Sequence, residues 1–225
     1  MVFKTILELI EFTGDPDGSV EERVFWTKQC MPIHYQNNEM GVGWQEAFKE
    51  LPELQEGRIL DAGAARLRTT IEIAKHYPGS EVHAMDYYEH RLDESQWKLD
   101  ELPEDVSGRI HRVSGNFYYL EDHFPPGFFD IIFVMNNLTQ VACNWGVQTN
   151  AGLAYTFRRA LNEDGYLCIT GCVNEYPHCM SAVMQKTERG FDIKWQQGFE
   201  KNGFFDSMRN AYDLDLRLEV PVEQA

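Results

Sequence analysis

Three short stretches of the chain combine small, acidic and amide-bearing residues in a pattern that can hold a polar ligand. The first is segment 61–67, Asp-Ala-Gly-Ala-Ala-Arg-Leu, whose small side chains let a ligand approach the backbone. Asp86, 25 residues beyond Asp61, offers a carboxylate that can accept hydrogen bonds from two neighbouring sugar hydroxyls. The third is Asn116-Phe117, an amide that can bond the edge of a flat heterocycle and a ring that can stack on it.

The elements that must position these stretches alternate between strand and helix. Short apolar runs predict five buried strands, at Arg58–Asp61, Glu81–Asp86, Arg109–Val113, Asp130–Met135 and Tyr166–Thr170. Apolar residues at helical spacing, such as Leu67, Ile71 and Ala74 or Leu153, Phe157, Ala160 and Leu161, predict helices between them. This alternation favours an α/β, doubly wound, mostly parallel sheet with helices on both faces. Sheets of this kind bind ligands at the carboxyl ends of their strands, which is where the three stretches fall.

The two ends of the chain complete this organisation. Residues 1–55 have a helical pattern and are expected to form an N-terminal helical cap or lid, while 56–225 form the core of one compact domain. Residues 180–199 are expected to form a helix. Two further strands, near 204–211 and 216–222, would then bring the sheet to seven strands.

The ordered set of signatures resembles the class I S-adenosylmethionine-dependent methyltransferases. The similarity runs from about Gly57 to Thr170. It consists of Ile59–Ala65, Ala84–Asp86, Gly115–Phe117, Phe129–Ile132 and Leu161–Leu167. The resemblance implies a Rossmann-like fold, S-adenosyl-L-methionine as the cofactor, and methyl transfer as the activity.

The resemblance also implies which residues bind the cofactor. In that family the loop after the first strand wraps the methionine part, an acidic residue ending the second strand holds the ribose, and the position after the third strand binds the adenine. The cofactor-binding residues implied here are Asp61, Gly63, Ala64, Ala65, Asp86, Tyr87, Asn116, Phe117 and Asn136.

The chain departs from the family pattern at three of its positions. Ala65 and Leu67 replace the second and third glycines of the loop, and Asn116 replaces the usual Asp. These departures leave two alternatives open. The fold could perform non-methylating chemistry such as cyclisation or decarboxylation, or it could act as a non-catalytic partner of another protein.

Candidate residues for a substrate lie in the loops and in the N-terminal segment. Methyl transfer mainly requires alignment of the acceptor, and a base is needed only where the acceptor must lose a proton. His178 and His34 are the candidate bases because imidazole titrates near neutrality, although a solvated loop histidine is the alternative for each. The candidate substrate contacts are Trp26, Tyr35, Asn137, Gln140, Trp145 and Tyr176. The alternative role for Asn136 and Asn137 is to cap the next helix.

Charge and hydropathy narrow the class of partner. The net charge of −16 repels nucleic acids and anionic membrane surfaces, which favours a small molecule or a protein segment as the substrate. With the methyl transfer that the resemblance implies, the expected acceptor is a hydroxyl or amine of a small molecule, as in small-molecule biosynthesis. No apolar run reaches the roughly 18–20 residues of a membrane span. Met1–Phe12 carries Glu8 and Glu11 among its apolar residues, which is unlike a secretory signal and favours a cytoplasmic protein. The sequence is compatible with a homodimer and does not fix the oligomeric state.

The five cysteines do not form the pattern of a disulfide framework. Four residues near one another in sequence have zinc-binding side chains, namely Cys168, Cys172, His178 and Cys179. They lack a Cys-x-x-Cys pair, so we expect buried, reduced thiols here and no metal site.

Overall fold

The computed structural model describes residues 43–135, 155–172, 179–188 and 190–197 of the 225-residue chain. Its strands are β1 (Gly57–Ala62), β2 (Ser80–Asp86), β3 (Ile110–Ser114), β4 (Phe129–Met135), β5 (Leu161–Cys172), β6 (Cys179–Thr187) and β7 (Gly190–Gln197). Its helices are α1 (Gly43–Glu50), α2 (Arg68–His76), α3 (Glu89–Asp93), α4 (Gln96–Asp100), α5 (Glu104–Ser107), a 3₁₀ helix (Phe117–Asp122) and α6 over 155–160.

The described strands form one seven-stranded sheet in the order β3-β2-β1-β4-β5-β6-β7. Strands β1 to β5 are parallel to one another, whereas β6 is antiparallel to both β5 and β7. The predicted fold class, a doubly wound and mostly parallel seven-stranded sheet, is therefore confirmed. The predicted helical cap lies mostly outside the described residues, since only α1 of segment 1–55 is described as a helix.

Continuous apolar runs form the central strands because both faces of the sheet are covered. In β4, Ile131 and Phe133 pack on one side while Ile132 and Val134 pack on the other, and all four are fully buried. The first side is covered by α1 to α4, and the second by the 3₁₀ helix and α6. Such burial on both faces is what a near-continuous apolar strand requires.

The sheet reverses its winding between β1 and β4. These two strands are neighbours, yet the chain leaves β1 for α2 on one face and reaches β5 through α6 on the other. The crevice at the carboxyl ends of β1 and β4 is thus the topological switch point, where sheets of this type bind ligands.

The prediction of a helix over residues 180–199 is wrong, because β6 and β7 form an antiparallel hairpin there. The alternation of Phe191, Ile193 and Trp195 with polar residues has the period of a strand. A register shift in the ladder leaves Lys194 unpaired, so Trp195 packs on the α1 side while Phe191 and Ile193 pack on the other.

The start of β5 also differs from the prediction, which placed Leu161 on a helix. Leu161 pairs with Phe129, and the next pairing joins Tyr166 to Ile131, so residues 162–165 bulge out of the ladder. The Asn162 side-chain amide donates to Asp130, which holds this bulge against β4. The early pairing of Leu161 ends α6 at residue 160.

Two structural features are absent from the described part of the chain. None of its helices is long and apolar enough to cross a membrane. It also holds no group of three or more His, Cys, Asp or Glu side chains arranged for a metal ion.

Candidate functional site

The last two residues of β2 connect the loops that follow β1 and β3. The carbonyl oxygen of Met85 accepts hydrogen bonds from the backbone N–H groups of Gly63 at 2.8 Å and Ala64 at 2.9 Å. The carbonyl oxygen of Asp86 accepts from the N–H of Gly115 at 3.0 Å. Three of the predicted binding stretches are therefore assembled at one edge of the sheet.

The Asp86 carboxylate is held by backbone donors on both of its oxygens. Oδ2 accepts from the N–H of Ala65 at 2.7 Å, and Oδ1 accepts from the N–H of Tyr88 at 2.9 Å. Asp86 is only 5% exposed, so its orientation is fixed by these bonds and by the surrounding residues. A carboxylate has about four lone-pair positions, and each oxygen keeps one for a further donor.

The loop after β1 has the backbone conformation of a glycine-rich turn although two of its glycine positions are substituted. Gly63 has φ of 83°, and the non-glycine residues Ala65 and Leu67 have φ of 44° and 59°. All three lie in the left-handed region, which costs a residue with a Cβ atom roughly 1–2 kcal/mol. Leu67 is fully buried at the start of α2, where its packing can offset that cost.

Asp61 lies beneath this loop and is buried. Its Oδ2 atom accepts a hydrogen bond from Thr70 Oγ1 of α2 at 2.6 Å, which joins β1 to the following helix. Burial is the main cause that raises the pKa of the Asp61 carboxyl to about 7; the Thr70 bond opposes this rise, and the charge of Asp86 adds to it. Only 1% of Asp61 is exposed, and its hydrogen bond from Thr70 holds the first turn of α2 against β1.

The stretch after β3 lies against the end of β2 and the adjoining core. Gly115 permits a close approach, since a Cβ atom there would lie 2.7 Å from Met85 Cε and 2.5 Å from His123 Nε2. Asn116 Oδ1 accepts from the N–H of Tyr118 at 3.0 Å and so caps the 3₁₀ helix. Phe117 is half-buried and stacks on Tyr118, with ring centroids 5.1 Å apart.

Two other predicted residues complete the described part of the site. Ala64 belongs to the loop after β1 and is buried, with 6% of its surface exposed. Tyr87 follows Asp86 directly and is 48% exposed, so its ring stands at the rim of the sheet edge. Its edge packs against Tyr88, with ring centroids 5.3 Å apart. Direct ligand contact by any of these residues stays a prediction.

The predicted catalytic and substrate-binding residues lie outside the described residues. They are His34, His178, Trp26, Tyr35, Asn137, Gln140, Trp145 and Tyr176, together with Asn136 of the cofactor set. The two strands expected near 204–211 and 216–222 also lie outside them.

Two residues that support the site were not singled out from the sequence. Thr70 is the hydrogen-bond partner of Asp61, and Tyr88 supplies one of the two N–H groups on Asp86. A threonine in the first turn of the helix after an acidic strand end is a signal that could have identified Thr70. The role of Tyr88 rests on backbone geometry, which its side chain does not reveal.

Comparison with known proteins finds similarity in structure only. No protein-family model and no curated protein matches the chain. Among solved structures, phosphoethanolamine N-methyltransferase 1 of Haemonchus contortus, in complex with phosphoethanolamine and S-adenosylhomocysteine, is 17% identical. That match covers 66% of this chain and 31% of the other, with a TM-score of 0.50.

Two further solved structures each match more than half of the chain. A SAM-dependent methyltransferase from Methanosarcina mazei is 20% identical over 56% of each chain, with a TM-score of 0.46. The [4+2]-cyclase SpnF is 17% identical over 57% of this chain and 44% of the other, also with a TM-score of 0.46. The chain thus spans about half of the length of the structures it matches first. At 17% identity and a TM-score of 0.50, the likeness to the Haemonchus contortus enzyme shows the fold alone, a Rossmann-like methyltransferase fold.

Proposed function

We propose that the chain binds S-adenosyl-L-methionine and transfers its methyl group to a hydroxyl or amine of a small molecule. The observation that carries this proposal is the Asp86 carboxylate, fixed at the end of β2 by the N–H groups of Ala65 and Tyr88. It keeps a lone pair on each oxygen at the edge where the winding reverses. A vicinal diol such as that of ribose is the ligand group that matches two adjacent acceptors.

The residues present fit the cofactor at its ribose and methionine ends. The left-handed turn at Gly63 and Ala65 keeps the backbone close to the end of β2, so the loop shape that the resemblance requires is retained. Asp61 and Thr70 would hold this loop in place, and Tyr87 would cover the sugar from the rim. When bound, the cofactor supplies an electrophilic sulfonium methyl group, and the chain's own task is to orient the acceptor and exclude water.

The alternatives of non-methylating chemistry or a non-catalytic role rested on the two substituted glycines and on Asn116 in place of the usual Asp. Since Ala65 and Leu67 keep the left-handed backbone, the described loop gives these alternatives no support. A protein that binds the cofactor yet forms no methylated product would nevertheless favour them over methyl transfer.

Isothermal titration calorimetry with S-adenosylhomocysteine tests cofactor binding. We expect micromolar affinity for the full chain and at least about 100-fold weaker binding for Asp86→Ala, because two hydrogen bonds to a charged acceptor are each worth about 1.5–3 kcal/mol. The matched control is Asp122→Ala, which removes the same charge from an exposed position on the 3₁₀ helix. Absence of heat with the unaltered chain, for both S-adenosylhomocysteine and S-adenosylmethionine, would overturn the proposal.

The choice of substrate class rests on the net charge of −16, which opposes binding of polyanions. Transfer of labelled methyl from the cofactor to a panel of small hydroxy and amino compounds tests it, with RNA and protein extracts as the competing acceptors. His178→Ala and His34→Ala test the predicted bases. If either histidine acts as a base, its replacement should lower kcat and leave the affinity for S-adenosylhomocysteine unchanged.

A further inference from the structure

The carboxyl end of β5 and the start of β6 place two cysteines opposite each other. Cys172 is the last residue of β5, Cys179 is the first residue of β6, and the two are direct register partners in the antiparallel ladder. The connection between them comprises only residues 173–178. We propose that Cys172 and Cys179 form a reversible disulfide that joins β5 to β6 when the protein is exposed to a peroxide.

The backbone register alone places the two residues close to the spacing that a disulfide requires. Directly opposed residues of an antiparallel pair have Cα atoms about 4.5–5.5 Å apart and Cβ atoms on the same face, about 4.5–5.5 Å apart. A disulfide requires Cα atoms about 4.4–6.8 Å apart and Cβ atoms about 3.5–4.5 Å apart. The required adjustment is about 1 Å, at the ends of two strands.

A third cysteine in these strands, Cys168, serves as an internal control for reactivity with peroxide. Cys168 also belongs to β5, but its register partner is Val183, and it is fully buried in the core on the α1 side. Burial raises the pKa of the Cys168 thiol to about 12, which leaves it almost entirely protonated at neutral pH. Because the thiolate is the reactive form, Cys168 should react far more slowly with a peroxide.

Formation of each disulfide consumes one molecule of peroxide. One thiolate attacks the O–O bond, forms a sulfenic acid and releases water or hydroxide. The second thiolate then attacks the sulfenic sulfur, so that the S–S bond forms, the S–O bond breaks and a second water leaves. The two sulfurs are oxidised, the peroxide is reduced, and a dithiol reductant reverses the step.

The bond would lie at the same edge of the sheet as Asp86, since the carboxyl ends of the parallel strands meet there and β6 starts where β5 ends. It would covalently join the parallel half of the sheet to the hairpin at that edge. The inference needs only two thiols and an oxidant, so it does not depend on the proposed function.

Peptide mapping of the folded full chain tests the proposal. The reduced protein is treated with hydrogen peroxide, the remaining thiols are alkylated, and the protein is cleaved after glutamate. Cleavage at Glu163, Glu175 and Glu188 separates peptide 164–175, which holds Cys168 and Cys172, from peptide 176–188, which holds Cys179. We expect the two peptides to be linked without reductant, and the link to be lost in Cys172→Ser and kept in Cys168→Ser.

A variant of the register distinguishes strand pairing from mere closeness in sequence. Combining Cys179→Ser with Met180→Cys moves the thiol one residue along β6, opposite Gly171 and onto the other face. This change should reduce the linked fraction at least tenfold, while circular dichroism confirms that the variant is folded. Equal linking in this variant, a link that survives Cys172→Ser, or no link in the unaltered chain would each overturn the proposal.

Discussion

The backbone N–H of Ala65 donates to Asp86 Oδ2 at 2.7 Å, so the loop after β1 is bonded directly to the side chain that ends β2. Asp86→Asn should therefore destabilise the protein even without ligand, because an amide places an N–H group towards one of the two backbone donors. We expect a loss of about 1.5–3 kcal/mol in the free energy of unfolding. Urea denaturation measures it, with Asp122→Asn as the exposed control. Equal stability of the two variants would contradict the role of Asp86 as a structural tie.

Asp61 makes the stability depend on pH near neutrality. Its pKa is about 7 in the folded protein against 3.8 for an ordinary aspartate, so the folded state binds the proton more tightly. Protonated Asp61 therefore contributes up to about 4 kcal/mol to the free energy of unfolding. This contribution is fully present below about pH 4 and is lost as the pH rises through about 7. Asp61→Asn should therefore raise the free energy of unfolding at pH 8 relative to the unaltered chain, and lose that advantage at pH 4. Urea titrations at both pH values test this, and a pH-independent difference would refute it.

Glycine substitutions at the two left-handed residues Ala65 and Leu67 should change the stability in opposite directions. Ala65→Gly should stabilise the protein by roughly 0.5–1 kcal/mol, because it relieves a φ of 44° at a small entropic cost in the unfolded chain. Leu67→Gly relieves a similar strain at φ of 59° but empties a fully buried position. It should cost more than about 2 kcal/mol. Thermal denaturation measures both, and a loss of stability in Ala65→Gly would show that the turn is not strained.

Arg109 should be one of the most sensitive positions outside the site. Its guanidinium donates to four backbone carbonyls at 2.6–2.9 Å, those of Ala74, Tyr77, Ser80 and Asp105. These bonds join the end of α2 to the start of β2 and to α5. Arg109→Met should lower the free energy of unfolding by about 2–4 kcal/mol, and Arg109→Lys should restore less than half of it, since an ammonium group cannot reach all four acceptors.

The control for this prediction is Arg112→Met, on β3 three residues after Arg109. Arg112 forms an ion pair with Asp93 at 3.2 Å and donates to one backbone carbonyl, that of Leu92, at 3.3 Å, so its replacement should cost less than that of Arg109. Equal losses in the two variants would show that the carbonyl contacts of Arg109 carry little stability.

His83 should make the protein less stable in acid. Burial lowers its pKa to about 4 from 6.5, with the neighbouring His111 and Arg58 acting in the same direction and Glu81 opposing them. The neutral ring of His83 contributes to the free energy of unfolding above about pH 6.5, and this contribution is lost as the pH falls to about 4. After allowance for screening by solvent we expect about 1–2 kcal/mol.

His83→Phe tests this prediction, because the ring packs edge-on against Phe124, Phe128 and Phe129 and can be replaced by another aromatic ring. The variant should lose less stability between pH 7 and pH 4 than the unaltered chain. His111→Phe, at a more exposed ring, should change the pH dependence less. If His83→Phe lost as much stability between pH 7 and pH 4 as the unaltered chain, the prediction would be contradicted.

The parallel half of the fold could be predicted because its signals are local. A run such as 131–135 is apolar on both sides of the strand, and this pattern can be satisfied only between two covered faces. The hairpin of β6 and β7 was missed because several apolar residues of 180–199 also fit a helix. The choice was decided by pairing with β5, which is a tertiary contact that no local pattern contains.

The places of Asp86 and Gly63 in the fold could be predicted from the sequence, whereas the backbone conformation of the loop after β1 could not. Asp86 and Gly63 lie where the order of strands and loops placed them. Substitution of Ala65 and Leu67 indicated an altered loop, whereas the chain retains the left-handed turn. The energy that holds Leu67 in that conformation comes from its burial beneath α2, which depends on the assembled core.

The pairing of β1 with β4 has a consequence for any attempt to dissect this protein. The backbone of Arg58 bonds to Asp130, 72 residues later in the chain, and these two strands flank the point where the winding reverses. A fragment that stops after β3 would carry Asp61, Asp86 and Asn116 but would lack the strand that creates the crevice. The ability to bind a ligand in this crevice should therefore appear late in synthesis and in a single step. It should appear once β4 has left the ribosome and paired with β1.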